Sequence, residues 1–276
     1  MRGDTLFVSD LDFTLLRSDG TLSPRSAEVL NGLIADGLQF TYATARSFRS
    51  SRRVTRDLRL SLPVVTYGGT VVADPDDGMA LRVDHMPTAT VEPLLRAAKA
   101  VAVEPILFTM EDGRDRIRWM ADAASDGVRS FVAKREADPR LGEISSWETV
   151  DHETVFYVTM IASRPKLEAV IREASEAVSA CAVFLSRDGY TGEQWLEIHA
   201  PEGTKARSAR RVADDVGATR LVAFGDNLND VPLFEIADEG CAVAGAVPEL
   251  RDIATRTIGS NDEDAVALWL AENSAN

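Results

Sequence analysis

The stretch Leu6-Phe-Val-Ser-Asp10-Leu-Asp12-Phe-Thr14 constrains this chain more than any other. Leu6 to Val8 is apolar without alternation, the texture of a short strand buried in a parallel sheet. The run stops at two carboxylates. In extended chain, residues i and i+2 point to the same side. Asp10 and Asp12 are therefore expected to face one spot just past the strand's carboxyl end. Like charges so close repel, and a divalent cation between them offsets the repulsion. The pair also offers one carboxylate to attack an electrophile and another to move protons. Taken alone, Asp-x-Asp-x-Thr fits equally well a polar strand exit with Thr14 as a cap.

The following pattern is regular. Ser23-Pro24 reads as an N-cap and first helical position, Ala27, Leu30, Leu33 and Ile34 keep helical spacing, and Gly37 ends the helix. A strand from Leu38 to Ala43 leads into Thr44-Ala-Arg46-Ser47 and a helix to about Leu58. A third strand, Leu62 to Tyr67, closes at Gly68-Gly69. Alternation of strand and helix implies a parallel sheet with crossovers. The texture changes with a hairpin over 71–83. From about Asp84 to Ala200 a helix at 90–101, strands at 105–110, 116–119 and 154–161, a helix at 165–178, and strands at 181–186 and 194–199 around Asp188-Gly189 describe an inserted α+β module. The α/β pattern then resumes. A helix opens at Thr204-Lys205, and the strand Arg220–Phe224 exits into Gly225-Asp-Asn-Leu-Asn-Asp230. A helix from Val231 to Ala237, a strand from Cys241 to Val243, and helices at 248–253 and 264–272 follow.

With 276 residues the chain has room for one large domain or two moderate ones. Its net charge of −14 argues against a nucleic-acid or anionic-membrane surface. An anionic substrate still fits if a metal and a few basic groups reverse the field locally. Cys181 and Cys241 have no ligand spacing and read as packed thiols. Few cysteines and no signal peptide point to the cytoplasm, and no apolar run is long enough for a bilayer.

Three polar clusters share one context. Asp10 with Asp12, Thr44, and Asp226 with Asn229 and Asp230 each follow a predicted parallel strand, at the edge where open α/β sheets bind ligands. Lys205 begins a helix that returns to the sheet. Singly, Thr44 could be an N-cap, Lys205 a surface charge, and Gly225–Asp230 an Asx-capped turn. Their joint placement suits a phosphoryl group, whose oxygens need a hydroxyl, an ammonium and a metal to offset charge. Oxygen ligands from Asp suit Mg²⁺. His85, His152 and His199 are dispersed in the inserted module and read as structural or exposed.

Asp10-Leu-Asp-Phe-Thr14, Thr44-Ala-Arg46, Lys205 and Gly225-Asp-Asn-Leu-Asn-Asp230 resemble the four ordered motifs of the haloacid dehalogenase superfamily. The chain is most similar to its Cof-type phosphatases, which carry a large α+β (C2-type) cap between the second and third motifs. Glu197–Lys205 and the tail Thr257–Asp264 also look like family segments. The resemblance implies an α/β fold, a Rossmann-like parallel-sheet core of residues 1–83 and 200–276 with an α+β cap at 84–199. It implies a Mg²⁺-dependent hydrolase of small phosphomonoesters in which Asp10 is the nucleophile and Asp12 the general acid and base. Thr44, Lys205 and Asn229 would hold the phosphoryl oxygens. Asp10, the Asp12 carbonyl and Asp226 would hold Mg²⁺, with Asp230 orienting Lys205 or a metal-bound water. The cap would select the substrate, a small phosphorylated molecule. Three departures stand out: Phe13 replaces a common Gly, Gly68-Gly69-Thr70 a common Asn-Gly-Ala, and Gly245-Ala246-Val247 a common Gly-Asn-Ala. A phosphotransferase or phosphomutase is the alternative on the same scaffold. A phospho-accepting regulator is disfavoured by an acid/base two residues from the nucleophile. Substrate identity and oligomeric state are not legible.

Overall fold

The computed structural model describes residues 4–187 and 192–274. The chain divides into two compact units, Met1–Arg82 with Thr204–Asn276, and Val83–Gly203. The first unit begins with β1 (Thr5–Ser9), α1 (Pro24–Ala35), β2 (Gln39–Tyr42), α2 (Phe48–Val54), β3 (Val64–Thr66), β4 (Val71–Ala73) and β5 (Ala80–Val83). Ser23 caps α1 by accepting from the Ser26 N–H at 2.9 Å, and Gly37 follows at a φ of +93°, a conformation open to glycine. α2 is shorter than the sequence suggests. It stops at Val54, where the Thr55 hydroxyl donates to the Ser51 carbonyl at 2.9 Å and Arg52 donates to the Thr55 carbonyl at 3.2 Å. Side chains that satisfy the last carbonyls in this way favour an ending.

The second unit follows with α3 (Thr88–Ala100), β6 (Pro105–Glu111), β7 (Arg114–Trp119), α4 (Asp126–Ala133), β8 (Leu141–Glu143), β9 (Val155–Ile161), α5 (Arg164–Glu173), α6 (Ser175–Ser179), β10 (Ala182–Arg187) and β11 (Gln194–His199). Its six strands run in the order β10-β11-β9-β6-β7-β8, antiparallel except for the parallel pair β7 and β8. Val91 and Leu94 of α3 and Leu167 and Val170 of α5 pack against Leu107, Val158, Met160 and Leu196 on one face of the sheet. Phe108 and Tyr157 meet edge to face at 5.7 Å, and Phe131 of α4 meets Phe108 edge to face at 6.4 Å. α4 and β8 go unread in the sequence. The expected single helix at 165–178 is broken at Ala174, whose φ of −103° and ψ of 24° leave the helical region. The turn expected at Asp188-Gly189 lies outside the described residues.

The chain then returns to the first unit with α7 (Lys205–Asp215), β12 (Arg220–Gly225), α8 (Val231–Ile236), β13 (Glu239–Ala242), α9 (Pro248–Ile253), β14 (Arg256–Thr257) and α10 (Ala265–Asn273). Its main sheet has the order β14-β13-β12-β1-β2, every pair parallel. Leu6 and Val8 of β1 are fully buried at its centre, each stabilising by about 1.5–3 kcal/mol. Register positions the site. Ser9 lies opposite Phe224 of β12 and Tyr42 of β2, so residues 10, 43–44 and 225–226 leave the sheet at one level. Three backbone hydrogen bonds extend that alignment: Asp10 N–H to Phe224 at 2.9 Å, Ala43 N–H to Ser9 at 2.9 Å, and Thr44 N–H to Val65 at 3.0 Å. Among the described residues no helix is long and apolar enough to cross a membrane.

Candidate active site

Lys205 is the hub of the sheet's carboxyl edge. Thr204 caps α7 by accepting from the Arg207 N–H at 3.2 Å, which fixes the first turn and the lysine in it. The side chain is only 2% exposed, and its Nζ lies 2.8 Å from Asp10 Oδ1 and 2.7 Å from Asp230 Oδ1. Burial alone would lower the Lys205 pKa. The charges of Asp10 and Asp230 and the hydrogen bonds they accept more than reverse this, and hold it above its ordinary value.

Asp230 is fully buried and fully engaged. Its Oδ1 accepts from Lys205, and its Oδ2 accepts from the Asp226 N–H at 3.0 Å and the Asn227 N–H at 3.2 Å. The carboxylate therefore shapes the 226–230 loop as well as fixing the lysine. Gly225 makes room for it. A Cβ at Gly225 would stand 2.7 Å from Asp230 Oδ2 and 2.8 Å from its Cβ, inside any real contact. Gly225→Ala is expected to push Asp230 off Lys205, destabilise the fold by about 1–3 kcal/mol and depress activity. Calorimetric melting and steady-state kinetics check both effects.

Carboxylate oxygens of Asp10, Asp226 and Asp230 all lie within 4.8 Å of one another. Three carboxylates against one ammonium leave two formal negative charges in a buried space. Burial drives Asp10 well above the ordinary carboxylate range; Lys205 opposes the rise, while Asp230, Asp226 and Asp12 add to it. Asp226 is pushed up to about 6, again by burial first and Asp230 next, against the pull of Lys205 and the Thr14 hydroxyl. Thr14 donates to Asp226 Oδ1 at 3.1 Å, tying the loop after β1 to the loop after β12. With oxygens of Asp10 and Asp226 within 4.8 Å of each other, a proton or a cation between them would relieve the repulsion. The donor set is all oxygen. With Asp230 committed, Asp10 and Asp226 are the carboxylates left to hold a hard divalent cation, and the residues fit such an ion.

Asp10 and Asp12 each have a cation of their own, while the Asp12 charge still reaches Asp10 and helps raise its pKa. Asp10 turns to Lys205, whereas Asp12 is gripped by Arg46, with Nε 2.8 Å from Oδ2 and Nη2 2.5 Å from Oδ1. Each carboxylate follows its own cation, and the two-pronged guanidinium geometry orients Asp12. Phe13 follows at a φ of 57°, in the left-handed region, which explains why glycine suits this position elsewhere and why a bulky residue is strained there. Thr44 is fully buried, and its hydroxyl accepts from the Arg46 N–H at 3.2 Å. Among the described residues Asn229 Oδ1 is buried with no hydrogen-bond partner. Arg46 and Thr14 belong to the motifs read in the sequence, yet neither stands there as a site residue. Nothing along the chain points to their partners.

Arg46→Lys keeps the charge but loses the fork. It is expected to lower kcat by about tenfold, with a smaller change in KM, and Arg46→Ala by more. Steady-state kinetics of the two variants against the parent make the comparison.

The fold and site together define an α/β protein with a buried carboxylate–lysine cluster at the carboxyl edge of a parallel sheet. The chain matches the haloacid dehalogenase-like hydrolase family over residues 7–270. It belongs to that family and is an enzyme of it. A 5-amino-6-(5-phospho-D-ribitylamino)uracil phosphatase of Bacillus subtilis is 27% identical over 97% of this chain and 96% of its own. An HMP-PP phosphatase of Yersinia enterocolitica is 22% identical over 96% and 93%. Among solved structures, a Thermotoga maritima protein superposes with a TM-score of 0.81 at 20% identity, covering 98% of each chain. A subclass IIB sugar phosphatase of the family superposes at 0.75 and 16% identity, over 98% of this chain and 99% of the other. At these identities the structural likeness establishes the fold, with a parallel-sheet core and additional sheets.

Proposed function

We propose that this enzyme is a Mg²⁺-dependent phosphatase that hydrolyses small phosphomonoesters through an aspartyl phosphate on Asp10. The observation that carries the reading is the Asp10 carboxylate itself. It is buried at the carboxyl end of β1, 2.8 Å from the Lys205 ammonium, in a cluster with Asp226. An anion so placed is short of hydration and aimed into the site, which favours attack on an electrophile. The names of the Bacillus and Yersinia relatives, both phosphatases, support phosphorus as that electrophile.

In this reading an Asp10 oxygen bonds to phosphorus as the ester oxygen leaves, and Asp12 supplies the proton that the departing alkoxide needs. Asp12 then takes a proton from water, the water oxygen bonds to phosphorus, and Asp10 is released. Each Asp12 oxygen accepts one hydrogen bond from Arg46 in the structure, which leaves a second lone pair on each through which a proton can move. Lys205 offsets the phosphoryl charge, and the Thr44 hydroxyl and the Asn229 amide would donate to the phosphoryl oxygens. Asp10 and Asp226 would hold Mg²⁺, with the Asp12 carbonyl as a further ligand. The ion supplies positive charge to a site that carries an excess of negative charge. Asp230 positions Lys205.

The test is release of inorganic phosphate from a panel of sugar, polyol, nucleotide and pyrimidine-containing phosphate esters, with Mg²⁺ and with or without acceptor sugars. Phosphate release that acceptors do not divert supports hydrolysis. No release and no phosphoenzyme from any ester would overturn the reading.

A further inference from the structure

One segment of this acidic chain is strongly basic. Against a net charge of −14, residues 46–59 hold six arginines and one acid, Asp57. Arg46 belongs to the active site. Capping of α2 accounts for one hydrogen bond of Arg52, to the Thr55 carbonyl at 3.2 Å. That leaves most of the charge unexplained. Arg56 has only a loose, exposed pairing with Asp57 at 3.8 Å. Among the described residues, Arg52, Arg53 and Arg59 form no ion pair.

Arg52, Arg56 and Arg59 line a cavity of about 280 Å³ in the first unit, with Leu58 and Pro75 as apolar wall and Asp76 as its one carboxylate. Its walls are set in advance. Asn31 of α1 pins the far side twice, donating to the Asp57 carbonyl at 2.8 Å and accepting from the Arg59 N–H at 2.8 Å. Asp74 Oδ1 accepts from the Asp76 N–H at 2.9 Å and holds the opposite turn. Three guanidinia line the cavity against the Asp76 carboxylate, with Asp57 loosely beside Arg56, so basic groups outnumber acids there. Guanidinium forks match the oxygens of a phosphoryl group two at a time. The volume is several times that of a water molecule, whose share of the liquid is about 30 Å³. It therefore holds more than a bare ion, and the apolar wall suits an organic portion.

We propose that this cavity binds a small phosphate-bearing anion at a site separate from the Asp10 cluster. Isothermal titration calorimetry of the full-length Asp10→Asn protein with inorganic pyrophosphate tests it, at low salt and in chelator. The substitution prevents turnover, and the chelator leaves the acidic cluster repulsive to an anion. One equivalent is expected to bind. Arg52→Gln with Arg59→Gln should weaken binding by roughly tenfold or more, given the worth of a charged hydrogen bond. Arg25→Gln, an exposed change outside the cavity lining, should not. In the active background the arginine pair should leave hydrolysis unchanged. If the double variant fails to fold, Arg56→Gln serves alone, because Arg56 is 77% exposed. Absence of binding, binding indifferent to these arginines, or an equal loss in the Arg25 variant would overturn the proposal.

Discussion

Asp10→Asn is expected to abolish turnover and any covalent phosphoenzyme while leaving the protein folded. Asparagine has the shape of the carboxylate and can still accept from Lys205, which also keeps Asp230 at 2.7 Å. What it lacks is the ionised oxygen that attacks. The substitution also removes one charge from a crowded cluster. Burial raises the Asp10 pKa, so keeping this carboxylate ionised costs the folded protein stability. The neutral amide relieves that cost, and the variant should melt no lower than the parent in chelator. Loss of activity with unchanged or raised melting separates a nucleophile from a structural carboxylate. Asp12→Asn differs in kind. It should slow turnover by roughly 10²–10⁴ and let phosphoenzyme accumulate on Asp10, visible as intact mass after an acid quench. Full activity in Asp10→Asn would refute the assignment.

The sequence discloses this architecture unevenly, for physical reasons. β1 is legible because a centrally buried strand has no reason to alternate, and Leu6 to Val8 do not. Thr44, Lys205 and the 225–230 loop are legible as places, since each follows or faces a strand exit. Their contacts are not. Arg46 grips Asp12 across 34 positions and Thr14 reaches Asp226 across 212, and no local pattern announces either. The meaning of Gly225 rests on the approach of Asp230, five residues on, which only the folded chain supplies. The left-handed φ of Phe13 is invisible because a bulky residue carries no turn signal. α4 and β8 escape notice because they are short and take their stability from packing, as Phe131 against Phe108 illustrates.

Chelation is expected to abolish activity, and Mg²⁺ to restore it, with a stability signature that depends on pH. In the metal-free protein Asp226 has its pKa raised from 3.8 to about 6. Between those values the folded state binds more protons at this group than the unfolded state, so stability falls as pH rises through that window. Above it that contribution is lost. Asp10 acts in the same direction. Two histidines work the other way. Burial lowers the pKa of His85 and His199, so stability is lost as pH falls below the ordinary histidine range. The melting temperature in chelator therefore mixes opposing slopes, and the informative quantity is its increment on adding Mg²⁺. The histidines cancel in that difference. A cation binds the ionised carboxylates and stabilises by mass action, so the increment should be small near pH 5 and large near pH 7. Asp226→Asn should flatten this dependence and raise the Mg²⁺ concentration needed for half-maximal activity. Turnover that persists in chelator, or an increment independent of pH, would show that the Asp10–Asp226 pair does not hold the ion.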